Sequence, residues 1–169
     1  ASDATARGIL AAHDRRSGTD LLAEALAGNP RLCQSCHADA TLDAEGQPDV
    51  LNMSAAIHGF HANYVPYDDK RACVVCHPAG SDGVGQGYRG VHETLDVTCV
   101  SCHGTLQEHA ISLLNGQTEK PQAARLRAHL ETGSVSDKSE ATPRTPWLIE
   151  PDCLSCHVDF QRPERAASG

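Results

Sequence analysis

Four copies of one short motif hold all eight cysteines of the chain. Each copy has two cysteines separated by two residues and followed at once by a histidine, at residues 33–37, 73–77, 99–103 and 153–157. Two thiols at that spacing can form thioether bonds to the two vinyl groups of one haem, and the adjacent histidine then ligates the iron. The pattern therefore predicts four covalently attached c-type haems as cofactors.

The predicted haem sites contain two kinds of residue. The covalent bonds are expected at Cys33, Cys36, Cys73, Cys76, Cys99, Cys102, Cys153 and Cys156. The proximal iron ligands are expected at His37, His77, His103 and His157. No catalytic residue is predicted, because an iron with a protein ligand on both faces has no open position for a substrate.

Disulfide bonds and zinc coordination are the two alternatives to haem attachment for cysteine pairs at this spacing. A disulfide within each C-x-x-C pair would close a small, strained loop, and paired zinc knuckles need no histidine after each pair. The chain has ten histidines in 169 residues. Four such neighbours would then arise by chance about once in a hundred thousand sequences. The histidines therefore favour haem.

The second, distal ligand of each iron must come from the six remaining histidines or from the single methionine, Met53. The best candidates are His58, His61, His92 and His109, followed by His13 and His129. His58 and His61 share one face if their segment is helical, and could then serve two neighbouring haems. The alternative is that only one of them ligates. A lone methionine more often fills a gap in a core, so Met53 ranks below the histidines.

The places of the other candidates along the chain lead to separate expectations. His109 follows His103 by six residues, and we expect it to face away from the haem of its own motif. His92 precedes Cys99 by seven residues, which favours a haem other than the one attached there. His129 lies between charged neighbours on a predicted helix and could simply be exposed.

Composition excludes several classes of protein. Aromatic residues make up only 4 % of the chain, so four haem macrocycles, rather than aromatic side chains, are expected to fill much of the interior. The net charge of −8 argues against nucleic acid and against an anionic membrane surface as partners. No apolar run reaches 18 residues, so the sequence predicts no membrane span.

Short helices are the main regular structure that the sequence predicts. Helical patterns cover residues 20–27 and 107–114 and a segment that begins at Pro121, and each haem motif is expected to form one helical turn. Residues 79–90 contain five glycines and are predicted to be a loop. Alternating, strand-like patterns are essentially absent. The predicted fold class is therefore a mostly irregular, loop-rich chain with short α-helices and almost no β structure. Residues 1–169 are predicted to form a single tetrahaem cytochrome c domain wrapped around its four haems.

The sequence resembles bacterial multihaem c-type cytochromes, in particular the extracellular tetrahaem and hexahaem cytochromes of metal-reducing bacteria. The resemblance rests on the four motifs, on His58-Gly59-Phe60-His61, and on Cys102-His103-Gly104 followed by His109. It implies an electron carrier rather than an enzyme, with two histidines on each iron. Its redox partners would be other cytochromes or extracellular acceptors. Some members of the family polymerise into conducting filaments, which implies a homo-oligomer or a polymeric haem wire.

In such filaments a histidine near the N-terminus of one subunit can complete a haem of the next, and His13 occupies a comparable position. Two alternatives remain open: a soluble, monomeric periplasmic shuttle, and a multihaem reductase with one open haem. Because c-type haem is attached outside the cytoplasmic membrane, we expect export to the cell surface or medium, or alternatively to the periplasm. The residues Ala1-Ser2-Asp3 are typical of a terminus left by a signal peptidase.

Overall fold

The computed structural model describes residues 3–77 and 91–131. Three of the four haem motifs lie within these ranges. The fourth motif, at residues 153–157, and the predicted loop at residues 79–90 lie outside them.

Helices dominate the described residues. The eight α-helices found there are α1 (Asp3–Ser17), α2 (Leu21–Leu26), α3 (Met53–His61), α4 (Lys70–Val74), α5 (Val91–Thr94), α6 (Cys99–His103), α7 (Leu106–Asn115) and α8 (Pro121–Glu131). Single 3-10 turns occur at Cys33–Ser35 and Ala40–Leu42. In the same ranges the β structure is one isolated bridge between Asp39 and Ala44. The prediction of short helices with almost no β structure is therefore confirmed for this part of the chain.

No helix in the described part of the chain is both long and apolar enough to cross a membrane.

The predicted helix at residues 107–114 is α7, which extends one residue further at each end. Its first turn is closed by a capping box: Thr105 accepts a hydrogen bond from the backbone of Glu108, whose carboxylate accepts one from the Thr105 backbone. The helix predicted to start at Pro121 is α8. The helix predicted at residues 20–27 is α2; Asp20 directly precedes it, but its side chain makes no capping bond. The carboxylate of Asp14 does so instead, accepting from the backbone of Leu21 and Leu22.

The longest helix, α1, was not predicted. It buries none of its residues, so its sequence lacks the apolar periodicity by which a core-facing helix is found. Arg16 links it to α3: its guanidinium carbon lies 4.8 Å from the centre of the Phe60 ring, and Nη2 donates a 2.9 Å hydrogen bond to the Tyr64 hydroxyl.

The described core lies where α3, α7 and α8 pack together. Its largest fully buried side chains are Ile111, Leu113 and Leu114, and much of the remainder is alanine. Gly59 explains how α3 comes so close to α7. A Cβ at this position would lie 3.1–3.3 Å from methyl groups of Leu114 and Leu126. The glycine that weakens the helical pattern of α3 is thus the residue that lets α3 pack.

Candidate haem sites

Residues 33–37 form a tight turn that the following segment holds in place. The turn is closed by a 2.9 Å hydrogen bond from the His37 backbone to the Cys33 carbonyl. The chain then folds back, and the Gln47 backbone donates a 2.8 Å hydrogen bond to the Cys36 carbonyl. Gly46 permits this return, because its φ is 62° and a Cβ there would overlap the Ala38 backbone.

The second motif begins in the last turn of α4, the third forms α6, and these two helices pack against each other. Asp69 caps α4 by accepting a 2.8 Å hydrogen bond from the Arg71 backbone, while Thr98 and Ser101 form a capping box on α6. Burial raises the pKa of the Cys73 thiol, and its contact with the Cys99 thiol raises it further. One cysteine of each motif therefore touches the other motif.

The six cysteines of the described residues are free thiols. They are Cys33, Cys36, Cys73, Cys76, Cys99 and Cys102.

Each described proximal histidine lies near a second histidine. The ring centroids are 6.3 Å apart for His37 and His13, 6.1 Å for His77 and His58, and 5.8 Å for His103 and His109. The ring planes are close to perpendicular in the first and third pairs, at 87° and 83°, and within 5° of parallel in the second.

These spacings fit two axial ligands of one iron. A metal–imidazole bond is about 2 Å long and the ring centre lies about 1 Å beyond the nitrogen, so two opposed rings have centroids roughly 6 Å apart. His58 and His109 are closer, at 4.6 Å, which leaves no room for an iron between them. We call His77, His58, His109 and His103 the four-histidine cluster. The spacings of His77 with His58 and of His109 with His103 match two axial ligands of one iron. The shorter spacing of His58 with His109 connects the two pairs.

Hydrogen bonds at Nδ1 set the tautomer of two of these rings, His37 and His58. Nδ1 of His37 lies 2.6 Å from the Leu51 carbonyl, and Nδ1 of His58 lies 2.8 Å from the Ser54 carbonyl. A carbonyl only accepts, so each Nδ1 carries the proton and each Nε2 keeps the lone pair that ligates a metal. The tautomers of His37 and His58, and the ring spacing at the three described motifs, therefore fit c-type haem.

His61 has the same tautomer but a different setting. Its Nδ1 donates a 2.8 Å hydrogen bond to the Ile57 carbonyl, and its exposed ring lies edge-on to Phe60. The segment is helical as required, yet of this i, i+3 pair only His58 lies beside a proximal histidine within the described ranges.

The fourth proximal ligand, His157, and its cysteines Cys153 and Cys156 lie outside the described residues, so the distal partner of that site stays a prediction. Its candidates are His61, His92 and His129. His92 is half-buried on α5, and His129 is exposed near the end of α8. Met53 is half-buried at the start of α3, where its backbone donates to the Ala38 carbonyl.

The expectation that His109 faces away from its own motif was wrong. Gly104, with φ of 73°, ends α6, and the Thr105 capping box starts α7 as a separate helix. This break turns the chain so that His109 comes to lie 5.8 Å from His103. The sequence carried a signal for it, because Gly104 is followed by Thr105-x-x-Glu108, a capping-box pattern.

No three side chains of His, Cys, Asp or Glu within residues 3–77 and 91–131 come together to hold a metal ion. A haem iron requires at most two axial protein ligands, so histidine pairs are the geometry to be expected of it. No protein-family model, curated protein or solved structure matches the chain. The motifs and the geometry of the histidine pairs are therefore the features of this chain that point to a function.

Proposed function

We propose that this chain is an electron-transfer protein, a tetrahaem c-type cytochrome whose irons each have two histidine ligands. The observation that carries the proposal is the spacing of the three described histidine pairs, 5.8–6.3 Å between ring centroids. A proximal histidine follows from the motif alone, but a second imidazole at axial spacing does not.

The residues of the chain have distinct tasks in this proposal. The cysteines of each motif would attach a haem, and the histidine pairs would ligate its iron. When bound, each haem supplies a one-electron iron couple. The Leu51 and Ser54 carbonyls fix the ring orientation of His37 and His58, so that little rearrangement accompanies a change in charge.

Contact between two ligand sets supports electron exchange within one chain. The rings of His58 and His109 are 4.6 Å apart, and α4 and α6, which hold Cys73 and Cys99, pack against each other. The second and third sites thus form one continuous unit.

A reductase is the competing class. It requires one iron with an open position, but each described proximal histidine has a partner at axial spacing. At these three sites the geometry therefore favours electron transfer over substrate reduction.

Export and assembly are further parts of the proposal. Attachment of c-type haem outside the cytoplasmic membrane implies an exported protein, and the resemblance to filament cytochromes implies a polymer of this chain. The position of His13 beside His37 of its own chain does not favour His13 as the ligand that joins subunits. A monomeric shuttle is the alternative. Sedimentation and electron microscopy of the purified holoprotein distinguish fibres from small discrete particles.

The decisive experiment is production of the full chain in a bacterial host that exports it and attaches c-type haem. Intact mass and a pyridine haemochrome assay should give four haems per chain, and the replacement of Cys73 and Cys76 by alanine should give three. The reduced protein should be low-spin and should not bind carbon monoxide. Absence of covalent haem contradicts the proposal, and stoichiometric carbon monoxide binding to one haem supports the reductase.

A further inference from the structure

The Nδ1 contact of His13 differs from the bonds that His37, His58 and His61 make with backbone carbonyls. His37, His58 and His61 each donate from Nδ1 to a backbone carbonyl. Nδ1 of His13 instead lies 3.0 Å from the side-chain hydroxyl of Thr19. A side chain can be removed by substitution where a carbonyl cannot, so this contact can be tested directly.

The hydroxyl of Thr19 is itself oriented by a carboxylate. It donates a 2.6 Å hydrogen bond to Oδ1 of Asp14. Its only hydrogen is used there, so the oxygen can only accept from His13, and Nδ1 must carry the proton. Nε2 of His13 then keeps its lone pair, as a ligand to iron requires.

Asp14 is fixed in its turn by the start of α2. Its Oδ1 also accepts a 2.8 Å hydrogen bond from the Leu21 backbone, and its Oδ2 accepts one of 3.0 Å from Leu22. His13, Asp14 and Thr19 are all half-buried at the corner between α1 and α2. The three side chains therefore form a hydrogen-bonded series that runs from His13 through Thr19 to Asp14. It ends at the backbone N–H groups of Leu21 and Leu22.

We propose that Thr19 and Asp14 form a hydrogen-bonded relay that positions His13 as the second axial ligand, from the same chain, of the haem attached at residues 33–37. This inference rests on the proposed function, since it assigns the relay to one of the proposed haems. Thr19 and Asp14 are positioning residues and do not touch the iron.

The relay also has an electronic consequence. A carboxylate that polarises a hydroxyl strengthens the hydrogen bond accepted from Nδ1–H, and this raises the basicity of the opposite nitrogen. A more basic ligand stabilises ferric over ferrous iron. We therefore expect the relay to lower the reduction potential of the first haem.

Thr19→Val tests the relay, because it removes the hydroxyl while keeping a branched side chain and leaving Asp14 its two backbone bonds. Substitution of a residue that hydrogen-bonds to a metal ligand typically lowers metal affinity or activity by about 10-fold or more. A tenfold change in the equilibrium constant for reduction is about 59 mV for one electron. We expect the potential of one haem to rise by about that amount while all four haems stay low-spin. Thr19→Ser should restore the original potential.

Ser54→Ala is the matched control. The Ser54 hydroxyl lies 3.2 Å from Nδ1 of His58, but that nitrogen also donates to the Ser54 carbonyl, which the substitution keeps. Its effect on any potential should be several-fold smaller than that of Thr19→Val. His13→Ala identifies the haem concerned, since it should turn one haem high-spin without loss of covalent attachment.

Each outcome decides between the relay and a role in helix capping alone. Unchanged potentials in Thr19→Val, or a shift that Thr19→Ser does not reverse, overturn the relay. A fully low-spin spectrum of His13→Ala overturns the ligand assignment. If Thr19→Val does not fold, Asp14→Asn, which keeps one side-chain oxygen for the α2 cap, must raise the same potential or the relay fails. A wild-type protein without covalent haem contradicts the proposed function instead.

Discussion

The first haem motif and the pair formed by the second and third motifs are built by different forces. The first motif lies on a turn between α2 and α3, and the partner of its histidine, His13, lies on α1. Neither α1 nor α2 has a buried residue. Hydrogen bonds therefore set the geometry of this region. The four-histidine cluster draws two of its members, His58 and His109, from α3 and α7, the helices that form the core.

This difference implies different responses to change. A change in a region set by a few hydrogen bonds should alter mainly its own haem, because α1 meets α3 through single contacts, such as that of Arg16 with Phe60, rather than through a packed face. A cluster mounted on packed helices should respond as a unit, because a shift of α3 against α7 moves both distal ligands. Coupling between the second and third sites and independence of the first are the expectations to be tested.

Leu114→Ala should have the largest effect. Leu114 is fully buried and touches Gly59 at the crossing of α3 and α7. A large-to-small change at such a site costs about 2–5 kcal/mol of unfolding free energy. Denaturant unfolding measures the loss, and spectra of the second and third haems should change together.

Leu26→Ala is the control for it, since this leucine is 59 % exposed on α2. Its effect should stay within about 0.5 kcal/mol. Equal losses in the two variants would show that the core does not lie where α3 meets α7.

His58→Ala should affect two haems. It removes the proposed distal ligand of the second site and leaves a gap beside His109, whose ring lies 4.6 Å away. One haem should become high-spin, and the potential of a second should shift. His13→Ala should change one haem only. A single affected haem in both variants would contradict the coupling.

Ring orientation provides a spectroscopic form of the comparison. Two iron d orbitals interact with the imidazole π systems. When the ring planes are parallel, both rings interact with the same d orbital, and the energies of the two orbitals differ. When the planes are perpendicular, each ring interacts with a different d orbital, and the two energies are nearly equal. The His58–His77 planes differ by 5°, and the His13–His37 and His103–His109 planes by 87° and 83°. Electron paramagnetic resonance of the oxidised protein should therefore give one rhombic low-spin signal from the described sites and two with strongly anisotropic g values. Three rhombic signals would contradict the ring geometry.

Motifs and local helix signals could be predicted from the sequence, but the pairing of the histidines could not. The helices α7 and α8 have capping or proline signals at their first turns, and Cys-x-x-Cys-His is a local pattern. The contact between His13 and His37 spans 24 residues along the chain and depends on a helix with no apolar face. The close packing that Gly59 permits could not be predicted from the sequence either, because a glycine within a helical pattern normally indicates a less stable helix. Contacts of this kind depend on tertiary structure rather than on local propensity.

Arg16→Ala should have the smallest effect and concerns the attachment of α1. Arg16 stacks on Phe60 and donates to the Tyr64 hydroxyl, and Tyr64 is 53 % exposed, so solvent weakens both contacts. An exposed cation–π contact is worth about 0.5–1 kcal/mol. Arg16→Ala should cost no more than that in denaturant unfolding, with the spectra of the second and third haems unchanged. Arg15→Ala, at an exposed neighbouring position on α1, is the control and should cost less.

Because α1 holds His13, the loss of Arg16 should broaden the low-spin signal of the first haem alone. Broadening of all signals would mean that α1 is part of the same packed unit as α3 and α7, and the division between the two regions would fail.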